Sequence, residues 1–118
     1  MEEAPVTWLE LNLILQERYR VLGGGTEQMP VDLNDIDVSG MTHMTMMFNG
    51  RLRFKYIDIS EWNTGNVVDM TGMFSGCDGL ESIGNIENWD ISNVQSMRYM
   101  FNGCKDKIKP SWYIETTE

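Results

Sequence analysis

Apolar positions recur along the chain in three matching blocks. Met44-Thr-Met-Met47-Phe48-Asn-Gly50, Met70-Thr-Gly-Met73-Phe74-Ser-Gly76 and Met97-Arg-Tyr-Met100-Phe101-Asn-Gly103 share the pattern MxxMFxG. Phe48 to Phe74 is 26 residues and Phe74 to Phe101 is 27, so whole units can be superposed at those offsets. Met41, Val67 and Val94 then share one column, Ile36, Trp62 and Trp89 a second, and Leu33, Ile59 and Ile86 a third. Val31, Ile57 and Ile83 form a fourth once a one-residue insertion is allowed before Ile86. A repeat of this length is the mark of a stacked architecture.

Within each unit the period changes. Val31-Asp32-Leu33 and Ile57-Asp58-Ile59 alternate apolar with polar, which predicts short strands with one buried face, and Leu80, Ile83 and Ile86 mark a looser third version. Val67, Met70, Met73 and Phe74, like Val94, Met97, Met100 and Phe101, recur at steps of three, three and one, which predicts one face of a short helix. Ser39, Ser92 with Asn93, and Gly65-Asn66 precede these stretches as helix caps, and Gly50, Gly76 and Gly103 follow as stops. The predicted fold class is therefore α/β, a short leucine-rich-repeat-like solenoid of three strand-helix repeats with a parallel sheet on one side.

One domain spans 1–118. Thr7-Trp-Leu-Glu10 reads as a capping box opening a helix to about Leu22, with an apolar pattern through Leu11, Ile14, Leu15, Tyr19 and Leu22. Residues 1–25 are thus an N-terminal capping helix and glycine elbow, and 26–104 hold the three repeats, divided 31–56, 57–82 and 83–104. Residues 105–118 are a closing half-repeat, because Ile108-Lys-Pro110-Ser-Trp112-Tyr-Ile114 starts like a strand and meets a proline.

The string from Ile59 to Leu80, with Trp62, Asn66, Met70, Met73, Phe74 and Cys77, closely resembles the repeat of the BspA-type leucine-rich-repeat surface proteins of bacteria. Trp89 to Cys104 resembles it as well. The first repeat departs: Ile36 replaces the tryptophan, Met41 the valine, and Arg51 stands where later repeats have cysteine. The resemblance implies a solenoid that binds other proteins or host surfaces and has no enzymatic activity. Family members are typically long, exported and often anchored to the cell envelope. This chain departs from them in having few repeats, no export signal and an N-terminal helix of its own, and short, leaderless, acidic chains are common among phage and mobile-element products.

Charge then narrows the partner. Nine Lys and Arg against eighteen Asp and Glu give −9, the wrong sign for direct binding to nucleic acid or an anionic membrane. The Leu13-Ile14-Leu15 run is too short for a membrane span, and Met1-Glu2-Glu3-Ala4-Pro5 is no secretory signal, so the chain reads as cytoplasmic, or exported if a leader was removed. Alternate strand residues and the turns after them stack acidic side chains: Asp32 with Asp58, Asp35 with Glu61, and Asp37 with Asn63 and Asp90. These carboxylates, flanked by Trp62 and Trp89 as anchors, form a candidate face for a partner protein with a basic surface. Two plainer readings stand beside it, a solvated acidic face and tryptophans that belong to the core. A second functional class is also open, an inhibitor that imitates nucleic-acid charge and blocks a basic groove of an enzyme.

Other side chains read as structural. Six of the ten methionines lie in the MxxM columns as core filler. Arg51, Arg53 and Lys55, and Lys105, Lys107 and Lys109, follow predicted helix ends, where positive charge complements the dipole. Cys77 and Cys104 occupy equivalent positions, as free thiols or as a disulfide. His43, aligned with Asp69 and Ser96, has no catalytic partners in the sequence, and neither a cofactor fingerprint nor a metal-ligand set is present. The expectation is a non-enzymatic protein-binding module without cofactor, of open oligomeric state.

Overall fold

The capping box closes as its spacing predicts. In the computed structural model, which describes residues 6–49 and 53–115, the Glu10 N–H donates to the Thr7 hydroxyl (3.2 Å) and the Thr7 N–H donates to the Glu10 carboxylate (3.1 Å). Helix α1 runs Trp8–Leu22 and ends at Gly23, whose φ of 73° a side chain would resist. It buries Leu11 and Leu15 in the core and sets the Tyr19 ring edge-on to Phe54 at 5.4 Å.

Beyond α1 the predicted architecture does not form. Among the described residues there is one α-helix, a parallel pair of two-residue strands, β1 (Val31–Asp32) and β2 (Ile57–Asp58), and a 3₁₀ turn at Asp106–Ile108. They sit in a compact body of 41 × 32 × 23 Å, and a solenoid of three strand-helix repeats is not what the chain builds. Val31 pairs with Ile57 and Asp32 with Asp58. The third predicted strand is missing because the extra residue before Ile86 spreads its apolar pair and Gly84 turns the backbone to φ 84°. Pro110, which has no N–H, stops the C-terminal one.

The helices predicted over the MxxMF stretches are replaced by turns. A spacing of three is also the distance between the ends of a β-turn, and the N–H groups of Met47, Met73 and Met100 donate to the carbonyls of Met44, Met70 and Met97 at 3.3, 3.2 and 3.1 Å. The third residue of each turn has positive φ: Met46 at 57°, Gly72 at 63° and Tyr99 at 59°. That conformation breaks a helix. It also turns alternate N–H groups sideways, so Met44, Met46 and Phe48 donate to Asp69, Thr71 and Met73, and Met70, Gly72 and Phe74 donate to Ser96, Arg98 and Met100. A helix would have spent those donors on itself.

The repeated side chains nevertheless meet. Phe48, Phe74 and Phe101 stack in a ladder with centroids 5.0 and 5.3 Å apart and planes within 10° and 8°. Met44, Met47, Met70, Met73 and Met100 are buried beside them.

Three smaller expectations change with the loss of the helices. Ser39 and Ser92 cap no helix, while Asn93 donates its amide to the Gly65 carbonyl (2.6 Å) and Asn66 to that of Ser39 (2.8 Å), tying each repeat to the one before. Gly76 and Gly103, each at φ 82°, release the chain from tight turns instead of ending helices. Gly50 and Arg51 lie outside the described residues. The basic clusters meet no helix dipole; Lys105 and Lys107 both pair with Glu81, and Lys109 pairs with Asp106 (2.9 Å) and Glu115 (2.7 Å). Neither cysteine is in a disulfide, and their thiols donate to the Phe48 and Phe74 carbonyls (3.2 and 3.0 Å). Burial pushes the Cys104 thiol up to about 11.

Candidate functional site

A short side-chain acceptor two residues before a backbone N–H closes an Asx turn. The acidic columns are built this way. Asp32 accepts from the N–H of Asn34 (2.9 Å) and Asp58 from that of Ser60 (2.9 Å). Asp37 accepts from the N–H and hydroxyl of Ser39 (3.0 and 2.6 Å), Asn63 from the N–H of Gly65 (3.0 Å), and Asp90 from the N–H and hydroxyl of Ser92 (3.0 and 2.6 Å). One oxygen of each side chain holds its own turn, and Asp58 also takes a bond from the Asn34 side chain.

The columns form to different degrees. Asp32 and Asp58 lie opposite one another across the β1–β2 pair, with Asp32 exposed and Asp58 half-buried. Asn34 links this pair to Glu61, whose N–H donates to the Asn34 side-chain Oδ1 (2.8 Å) while its carboxylate stays in solvent. Asn63 and Asp90 flank Gly65, where an added Cβ would stand 3.2 Å from Asn63 Oδ1 and 3.4 Å from Asp90 Oδ2. Asp37 is exposed as well. Asp35 is drawn off: Arg18 of α1 holds it in a two-pronged ion pair at 2.9 and 2.6 Å, which offsets its charge.

The two tryptophans take their core reading. Trp62 and Trp89 are 4% and 6% exposed, stacked on each other at 6.4 Å, and they donate their indole N–H groups to the carbonyls of Leu33 (2.8 Å) and Ile59 (3.1 Å). A ring held on both faces, with its polar atom used, has no surface to offer a partner. As anchors for a partner they are therefore corrected; they anchor one repeat to the preceding one.

Electrostatics keeps the remaining face charged. Arg18 holds Asp35 below the ordinary carboxylate range, and the Ser39 and Ser92 hydroxyls do the same for Asp37 and Asp90. Burial pushes Asp58 upward, but the bonds from Ser60 and Asn34 outweigh it and leave the group lowered. Among the described residues, no group of three His, Cys, Asp or Glu is placed to hold a metal ion.

Two sets of contacts lay beyond the sequence reading. Trp112 extends the indole stack, 6.4 Å from Trp89, and donates to the Ile86 carbonyl at 3.0 Å. Its spacing of 23 residues from Trp89 falls short of the repeat length, so superposition at fixed offsets passes it by. The segment around α1 closes the other end: the Val6 N–H, Arg18 and the Trp8 indole donate to the carbonyls of Asp37 (3.1 Å), Asp32 (3.1 Å) and Thr45 (3.0 Å). No sequence pattern signals these pairings across distant segments.

A family described as Mycoplasma protein of unknown function, DUF285, matches residues 20–116. The chain belongs to this family. No curated protein and no solved structure matches. The DUF285 region takes in the three MxxMFxG blocks, the acidic columns and Trp112, and it leaves out nearly all of α1. No helix among the described residues is long and apolar enough to cross a membrane.

Proposed function

We propose that the chain is a non-enzymatic protein-binding module whose acidic face receives a basic surface of a partner protein. The observation that carries this reading is the set of exposed carboxylates of Asp32, Asp37, Glu61 and Asp90 on a body of net charge −9, with Asp37 and Asp90 fixed in place by their own turns. Preset geometry lowers the ordering cost of recognition, and uniform negative charge speeds encounter with a positive surface. Membership of DUF285 and the MxxMFxG blocks support the closer kinship with BspA-type repeat proteins, a group that acts by binding.

The test exploits the Asx turns. Asn accepts the same backbone N–H as Asp, so D37N, E61Q and D90N together remove three charges and leave the turns in place. Capture of basic proteins from a cell lysate by the full chain should drop sharply in this variant, which should still fold and melt cooperatively. Capture should also fade towards about 1 M salt, where screening shortens to about 3 Å. Undiminished capture by the folded variant would remove the acidic face from consideration.

A further inference from the structure

The lateral hydrogen bonds give the molecule a polarity. In the first repeat Met44, Met46 and Phe48 donate backbone N–H groups to the second, and in the second Met70, Gly72, Phe74 and Gly76 donate to Ser96, Arg98, Met100 and Asn102 of the third at 2.8 Å each. Along these stretches carbonyls therefore face one end and N–H groups the other, while just before them the direction reverses, with Val68 donating to Thr42 and Gln95 to Val68 (2.7 Å each). The carbonyl end is closed by Val6, Trp8 and Arg18. At the opposite end the corresponding N–H groups of Met97, Tyr99, Phe101 and Gly103 find no acceptor among the described residues.

Side chains follow the same division. Thr64, Val67 and Met70 of the second repeat are buried under the third, whereas their counterparts Ile91, Val94 and Met97 are only partly covered and Tyr99 is 52% exposed. The C-terminal segment shelters the other half of this end, with Trp112 on Trp89 and the Tyr113 ring edge-on to Phe101 at 4.9 Å. Between Tyr99, Asn102, Gly103 and Tyr113 a cavity of about 150 Å³ remains. The bare half is thus the same surface that the first repeat presents to the second, and the second to the third.

We propose that this end docks a segment of another protein that carries the same repeat pattern. It would run parallel to residues 96–103, set carbonyls at alternate residues against the four N–H groups, and lay Val-x-x-Met-x-x-Met-Phe side chains over Val94, Met97, Met100 and Phe101. This is strand addition to an open edge, with the internal repeat junctions as its pattern. A second copy of this chain does not fit. Its first repeat is covered by the segment around α1, and two copies joined through this end would set the N–H groups of residues 97–103 against each other. The surface is separate from the acidic face.

A synthetic peptide with the sequence of residues 66–76, added to the full chain, tests the proposal by NMR amide exchange. Saturable slowing of the Met97, Tyr99, Phe101 and Gly103 amides, by about tenfold or more at saturation, is expected. A V94K/M97K variant alters only partly covered side chains and should lose the effect while keeping the Phe ladder's amide protection. The D37N/E61Q/D90N variant should retain it, which separates this site from the acidic face. Absence of slowing at these amides, slowing confined to α1, or self-association of the chain through this end by sedimentation would each overturn the assignment.

Discussion

Trp62, Trp89 and Trp112 each use one side chain for two purposes, a ring that stacks on its neighbour and an N–H that satisfies a carbonyl of the repeat before. Replacing Trp89 by Phe keeps most of the stack but removes one of the two donors to the Ile59 carbonyl, which retains the Trp62 N–H (3.2 Å). Loss of one such bond costs about 0.5–1.5 kcal/mol, to be read from urea unfolding. The opposite sign is expected at Tyr99. Its φ of 59° strains a residue with a side chain, and about half of it is in solvent. Tyr99→Gly should therefore raise stability by about 1 kcal/mol in the same measurement. Gly72 occupies the equivalent turn position, and a Cβ there would come within 2.8 Å of Met46 Sδ, so the glycine serves both conformation and packing.

At the level of elements, α1 depends on its first turn. Thr7→Ala removes the acceptor of the Glu10 N–H and breaks the reciprocal box, and should cost about 1 kcal/mol by thermal unfolding. This element was legible because capping, apolar spacing and the glycine stop all lie within one stretch of sequence. The MxxMF blocks were legible only in part. Their columns forecast that Phe48, Phe74 and Phe101 would meet, since side-chain identity at equal spacing reports which positions share a surroundings. They did not distinguish a helix from a β-turn, because both bring residues three apart to one side, and the choice was made by distant carbonyls such as those of Asp69 and Ser96. Gly72 was the one local sign of a left-handed turn residue, and Met46 and Tyr99 adopt that conformation without being glycine. The acidic columns were visible for the same reason as the phenylalanines. Their work in Asx turns was written in the Asp-x-Ser spacing of Asp37 with Ser39 and Asp90 with Ser92, whereas the pull of Arg18 on Asp35 depends on how α1 packs.

Across the whole molecule, acid should act through the carboxylates that the fold holds in hydrogen bonds. Asp35, Asp37, Asp58, Asp69, Glu87 and Asp90 are lowered from their ordinary values, and Lys105 and Lys107 bring Glu81 from 4.5 to about 2. A group lowered by folding binds its proton more readily in the unfolded chain. Its contribution is therefore complete above the unfolded value and disappears as pH falls through the folded one. Melting temperature should change little from pH 7 down to about 5 and then decline, with the Glu81 share lost between 4.5 and about 2. Glu81 ties the second repeat to the C-terminal segment that carries Trp112 and Tyr113, so its protonation loosens the cover over Trp89 and Phe101. E81Q should accordingly melt earlier than the parent at pH 7 and lose less on acidification, with the two curves converging near pH 2. Parallel curves at every pH would assign the acid sensitivity to the aspartate turns instead.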